Sequence, residues 1–289
     1  KPDFRGLRFV QIDEFYPIDP NQHNSFYYYV NTHYIRGFNM DRERALLINS
    51  AHIGVPRGMS IDDIFPGGKV DLGLRNRKPA TKQEQLQYET ILRVDEFCSE
   101  YEEKIREWGG LGFFLGGIGP DGHIGFNARG SDLYSPTRLT LTNYETEAAA
   151  AGDLGGIEVS RNRPVITVGL ETITYNPEGV VIIFAAGEAK SQIVTDAVQN
   201  EKSVRYPASV LHGMKNARFY LTTGATVKLT ERVIDNIEVA ESIDDDEVEK
   251  RVMNCSLENN KRLAELTDAN AKQDRVLTAA LKKAGLKVS

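Results

Sequence analysis

Short apolar runs alternating with longer, helix-patterned stretches constrain this chain most, because that order builds a mostly parallel sheet with crossover helices packed on it. Leu7–Ile12 (LRFVQI) reads as a buried strand ending at Asp13. Leu111–Leu115 (LGFFL) reads as a second, ending in the glycine-rich turn Gly116-Gly117-Ile118-Gly119. Pro164–Val168, Val180–Ala186 and Arg218–Thr222 continue the set, while Ser25–Ile35, Gln83–Trp108 and Ala189–Gln199 carry helical spacing. The expected fold is α/β: a doubly wound, mostly parallel, Rossmann-like sheet with flanking helices over residues 1–226, followed by a helical C-terminal extension over 227–289. Residues 51–80, with Gly, Pro and several basic side chains, read as a surface insertion. The extension opens on the acidic run Ser242–Glu247. Its apolar positions Val248, Val252, Leu257, Leu263 and Leu266 predict a helix laid on the domain or on a partner.

Composition excludes several function classes. Against 41 Asp and Glu stand 35 Lys and Arg, a net charge of −6, so no basic face for nucleic acid is expected. The longest apolar run, Val180–Ala186, is too short to cross a bilayer. The two cysteines, Cys98 and Cys255, have neither zinc spacing nor a disulfide framework. A reduced, cytoplasmic setting is the expectation.

In an open parallel sheet, functional residues gather beyond the carboxyl ends of the strands. Two such ends carry ionisable groups here: Asp13 and Glu14 after the first strand, and Asp121 and His123 after the second. Asp and His two residues apart in a glycine-flanked turn can face one cleft, where the carboxylate fixes the imidazole's tautomer. Either aspartate alone reads equally as a helix cap. Taken with His123, the pair at two strand ends marks a site.

The block Gly-Pro-Asp-Gly-His-Ile-Gly-Phe-Asn (119–127), preceded by Leu115-Gly116-Gly117-Ile118, resembles the signature of the glucosamine-6-phosphate deaminases. Ile12-Asp13-Glu14-Phe15, followed by His23 and Ser25, is similar to that family's other motif. Ser135-Pro136-Thr137-Arg138, Ile166-Thr167-Val168-Gly169 and Gly187-Glu188-Ala189-Lys190 extend the resemblance over Leu7 to Thr223. The related 6-phosphogluconolactonases share Asp-Gly-His, but Phe15, Ile124, Phe126 and Asn127 side with the deaminases.

The resemblance implies isomerisation with deamination of glucosamine 6-phosphate to fructose 6-phosphate and ammonia. Asp13 would be the proton-transfer base, His123 the ring-opening group and Asp121 its orienting partner. It further implies substrate binding by Gly116, Gly117, Gly119, Gly122, Phe126, Asn127 and the phosphate-binding Lys190, with no cofactor and a homo-oligomeric assembly. Three departures stand out. Ala128 occupies the place of a family glutamate, for which Glu14 and Asp132 are the substitutes at hand. The family's phosphate-binding arginine falls near Gly152, within the small-residue run Ala148–Gly156. Nothing here matches the family's phosphate loop, which lies ahead of the first strand, so the chain is expected to be a fragment lacking the first βα unit. The alternative functions are a sugar-phosphate-binding module without turnover, suggested by Ala128, and a 6-phosphogluconolactonase-like hydrolase with His123 as general base.

Overall fold

The computed structural model describes residues 3–143, 147–148 and 163–286. These residues fall into two compact units, one within Lys1–Phe184 and Asn200–Tyr220, the other within Ala185–Gln199 and Leu221–Ser289.

The first unit begins with strands β1 (Phe9–Val10) and β2 (Asp13–Phe15). Helix α1 (Phe26–Tyr29) follows and runs into a π-helical turn, Val30–Ile35. Next come β3 (Ala45–Leu46), α2 (Ile61–Ile64), the long α3 (Lys82–Glu107), β4 (Phe113–Gly117), β5 (Arg138–Thr140) and β6 (Val165–Thr167). Helix α4 (Leu170–Thr174), β7 (Val180–Ala185) and β8 (Ala217–Leu221) complete it.

The α/β class stands, with its strands divided among three small sheets. β1 pairs with β3 in parallel, and β4 with β7 in parallel, with β8 beyond β7. β2, β6 and β5 form an antiparallel ladder in which Asp13 and Arg138 both lie opposite Thr167. Asp13 therefore stands inside a strand and not beyond its end, and Gly116 and Gly117 continue β4 where a turn was expected. The run Leu7–Ile12 is broken because Gln11, between the two strands, directs its side chain to the backbone. Its amide donates to the Asp13 carbonyl, and its oxygen accepts from the Ile48 amide.

Helix α3 forms as its spacing predicts. Thr81 caps it by accepting from the Glu84 amide, and Ile91, Val94, Cys98, Tyr101 and Ile105 recur every three or four residues as its buried stripe. Gly109 and Gly110, both at positive φ, end it. The segment 51–80 sends a few apolar side chains into the core. Ile53, Ile64, Phe65, Val70 and Leu74 are buried, Phe65 meets the buried Tyr16 ring edge-on at 6.0 Å, and the Tyr16 hydroxyl donates to the Ile53 carbonyl. Its few apolar positions decide its place, and its Gly, Pro and basic residues decorate the turns between them.

The sheet of β4, β7 and β8 has two unlike faces. Phe114, Val181 and Ile183 are buried on one. On the other, Phe113 and Phe184 stay 58% and 54% exposed, together with Leu115, Val180 and Tyr220, whose ring packs on Phe184.

The second unit contains α5 (Ser191–Gln199), α6 (Thr230–Val239), α7 (Asp245–Glu258), α8 (Asp268–Gln273) and α9 (Arg275–Lys283). The acidic run before α7 is partly a cap: Asp244 accepts from the Glu247 amide at 2.7 Å. Of the apolar positions read there, Val248 is buried, while Leu257 and Leu263 are exposed, so the expected stripe is only partly used. Among the described residues no helix is long and apolar enough to cross a membrane.

Candidate active site

Side chains alternate along a strand, so in β2 Asp13 and Phe15 share one face and Glu14 takes the other. Phe15 packs against Phe26 and Phe126, with ring centroids 5.6 and 5.4 Å away. Glu14 is fully buried and accepts from the Phe15, Phe26 and Tyr27 amides and from the Ser25 hydroxyl. It anchors the N-terminus of α1 and so is not a substitute for the carboxylate missing at Ala128. Asp132, the other candidate, is exposed and accepts from the Tyr134 amide. Ser25 caps α1, and His23 is exposed.

The turn after β4 is built around its histidine. The Gly119 amide donates to the His123 carbonyl at 2.9 Å, and the Gly122 amide to the Gly119 carbonyl at 3.1 Å. Gly122 has φ +87, a left-handed conformation costly for other residues. At Gly119 the reason is space: a Cβ there would fall 2.0 to 2.3 Å from three atoms of the His123 ring.

His123 Nδ1 lies 2.5 Å from Asp121 Oδ1. The other carboxylate oxygen, Oδ2, accepts from the Arg129 amide at 2.9 Å and from the Asn143 side-chain amide at 2.5 Å. Asp121 is only 2% exposed. Burial by itself would raise its carboxyl, but the hydrogen bonds from His123 and the Arg129 amide outweigh it and hold the group at about 2. The carboxylate is therefore ionised at neutral pH and presents an acceptor to Nδ1 of the imidazole. The imidazole is stacked on Phe126, 5.8 Å between centroids and 22° between planes.

Asp13 reaches this neighbourhood through Thr167. It pairs with Thr167 across the β2–β6 ladder, and the Thr167 hydroxyl accepts from the Phe126 amide at 3.0 Å. Burial, followed by the charge of Glu14, pushes the Asp13 carboxyl up to about 8. Asp13, Phe126, His123 and Asp121 thus come from two separated stretches of sequence to one part of the first unit.

The remaining expected residues divide. Asn127 is fully buried. Its amide nitrogen donates to the Ile124 and Val168 carbonyls, and its oxygen accepts from Arg138. These three bonds brace the turn from within the protein. Gly116 and Gly117 lie within β4. Lys190 closes the turn Glu188–Lys190 ahead of α5, in the second unit. Gly152 lies outside the described residues. The sequence reading missed Asn143, which no motif marks and which stands 22 residues from its partner.

No family model matches the chain. Among curated relatives, the glucosamine-6-phosphate deaminase of Caenorhabditis elegans is 36% identical over 137 residues, 47% of this chain and 51% of the relative. That of Bacillus velezensis is 28% identical over 211 residues, 72% of this chain and 69% of the relative. The chain thus spans about half the length of relatives such as the first. A monomeric glucosamine-6-phosphate deaminase superposes with a TM-score of 0.58 at 21% identity, covering 77% of this chain and 75% of the other. The 6-phosphogluconolactonase of Trypanosoma cruzi gives 0.51 at 15% identity over 78% and 74%. In sequence, then, the chain resembles the glucosamine-6-phosphate deaminases, and its fold is the one they share with 6-phosphogluconolactonases.

Proposed function

We propose that the chain converts glucosamine 6-phosphate and water to fructose 6-phosphate and ammonia. The observation that carries the reading is the Asp121–His123 pair in a glycine turn, linked through Phe126 and Thr167 to the strand that bears the Asp13 carboxyl, held up at about 8. The names of the curated relatives support the substrate class. His123 Nε2 moves the proton between the anomeric hydroxyl and the ring oxygen, opening the sugar. Ionised Asp13 takes the proton from C2 and returns it to C1, while one amine proton passes to O1, leaving a hydroxyl at C1 and a ketimine at C2. Water adds there, and the C–N bond breaks to release ammonia and the ketose. Phe126 and the turn glycines Gly119 and Gly122 shape the sugar's place.

A second reading, sugar-phosphate binding without turnover, is favoured by Ala128, which offers the imidazole no second carboxylate. Ammonia release from glucosamine 6-phosphate by the natural full-length protein separates the two. Release that falls at least about 100-fold in His123→Ala and in Asp13→Asn supports the deaminase. Binding with no release over long incubation supports the second reading, and acid production from 6-phosphogluconolactone would indicate a hydrolase instead.

A further inference from the structure

We infer that Asn143 is a positioning residue that sets the orientation of His123 by fixing Asp121 from behind. The two oxygens of the Asp121 carboxylate have separate tasks. Oδ1 meets the imidazole, and Oδ2 meets two donors, the Arg129 amide and Asn143 Nδ2. A carboxylate held through one oxygen alone turns about its Cβ–Cγ bond, and each degree of that rotation moves the other oxygen off the line to Nδ1. Two donors on Oδ2 stop the rotation. One of them belongs to the backbone of the turn itself. Asn143 is the side chain among the described partners of Oδ2, and it comes from outside the motif, three residues after β5.

The residue type fits the task. A buried carboxylate already accepting from an imidazole needs donors, and an amide supplies one without adding charge. An aspartate of the same shape at 143 would face Asp121 with an acceptor. Ala128, between the motif and Arg129, brings no polar side-chain atom. Asn143 and Arg129 both line an open groove of about 560 Å³. The anchor of the pair is therefore half-buried, while the carboxylate it holds is not exposed.

This inference rests on the proposed deaminase reading for its kinetic consequence, but not for its structural one, so the test has two readouts. The hydrogen-bonded Nδ1 proton of His123, identified by its loss in His123→Ala, is followed by proton NMR in the wild type, Asn143→Ala and Asn143→Asp, alongside kcat and KM. In Asn143→Ala the resonance broadens or disappears, and kcat falls by about tenfold or more with KM within about twofold. In Asn143→Asp the new carboxyl donates while protonated and repels once ionised, so the resonance and kcat approach wild type at low pH and decline as pH rises. A resonance and kcat unchanged in both variants overturn the inference, as does an Asn143→Asp variant with no added pH dependence. If the wild type releases no ammonia, the deaminase reading fails and the NMR result still decides this one. If Asn143→Ala does not fold, the near-isosteric Asn143→Asp carries the comparison.

Discussion

The imidazole of His123 occupies the space that any side chain at position 119 would need. Gly119→Ala must therefore displace the ring, and we expect ammonia release to drop by about 100-fold while the fold survives, checked by activity beside circular dichroism. The two aspartates make opposite contributions to pH dependence. Asp13 is raised from its ordinary 3.8 to about 8 by burial and then by Glu14, so the folded chain binds that proton more tightly than the unfolded one. Its contribution to stability falls as pH rises from about 4 to about 8. Asp13→Asn should remove that slope and stabilise the protein above pH 8 by on the order of 2 kcal/mol in denaturant titrations. In the wild type, activity should climb over the same range as the base ionises. Asp121 is depressed to about 2, so the stability it lends is complete above about 4 and is lost as pH falls toward 2. At this scale the sequence is readable where the partners are neighbours, as Asp121 and His123 are. It is silent where a side chain is claimed by a distant backbone, as Glu14 is by α1, or arrives from another element, as Asn143 does.

Among the elements, α3 shows how much a cap, a buried stripe and a glycine stop tell in advance: its expected span, Gln83–Trp108, differs from Lys82–Glu107 by one residue at each end. Short strands are harder. β1 and β2 merged into one in the sequence reading because nothing in the apolar pattern shows that Gln11 turns its amide to the backbone. The function of α3's one buried carboxylate was equally hidden. Glu102 accepts from the Thr137 amide and hydroxyl, the Thr172 hydroxyl and Arg106 Nε, and so ties α3 to the approach to β5 and to α4. Burial opposes its ionisation, and these donors outweigh burial and leave its carboxyl below the ordinary value. Glu102→Gln should cost about 2 kcal/mol in denaturant titrations at neutral pH, with the difference shrinking as pH falls below about 4.

At the scale of the whole molecule, the alternation of apolar runs was enough for the α/β class, since it depends on composition averaged over many residues and not on any one contact. What it could not convey is which sheet faces are covered. The apolar runs Leu111–Leu115 and Val180–Ala186 read as strands of a mostly parallel sheet, and burial on both faces is the rule for parallel pairing. The face carrying Phe113, Leu115, Phe184 and Tyr220 is nevertheless open to solvent. Apolar contact strengthens on warming over the range in which the fold persists. A solution of this chain should therefore scatter more light as it is heated from the cold, well below its unfolding transition, and clear again on cooling. Phe113→Lys with Phe184→Lys should abolish that turbidity and leave the Nδ1 proton of His123 where it was. The temperature at which the chain is kept would then matter as much to its colloidal behaviour as its concentration.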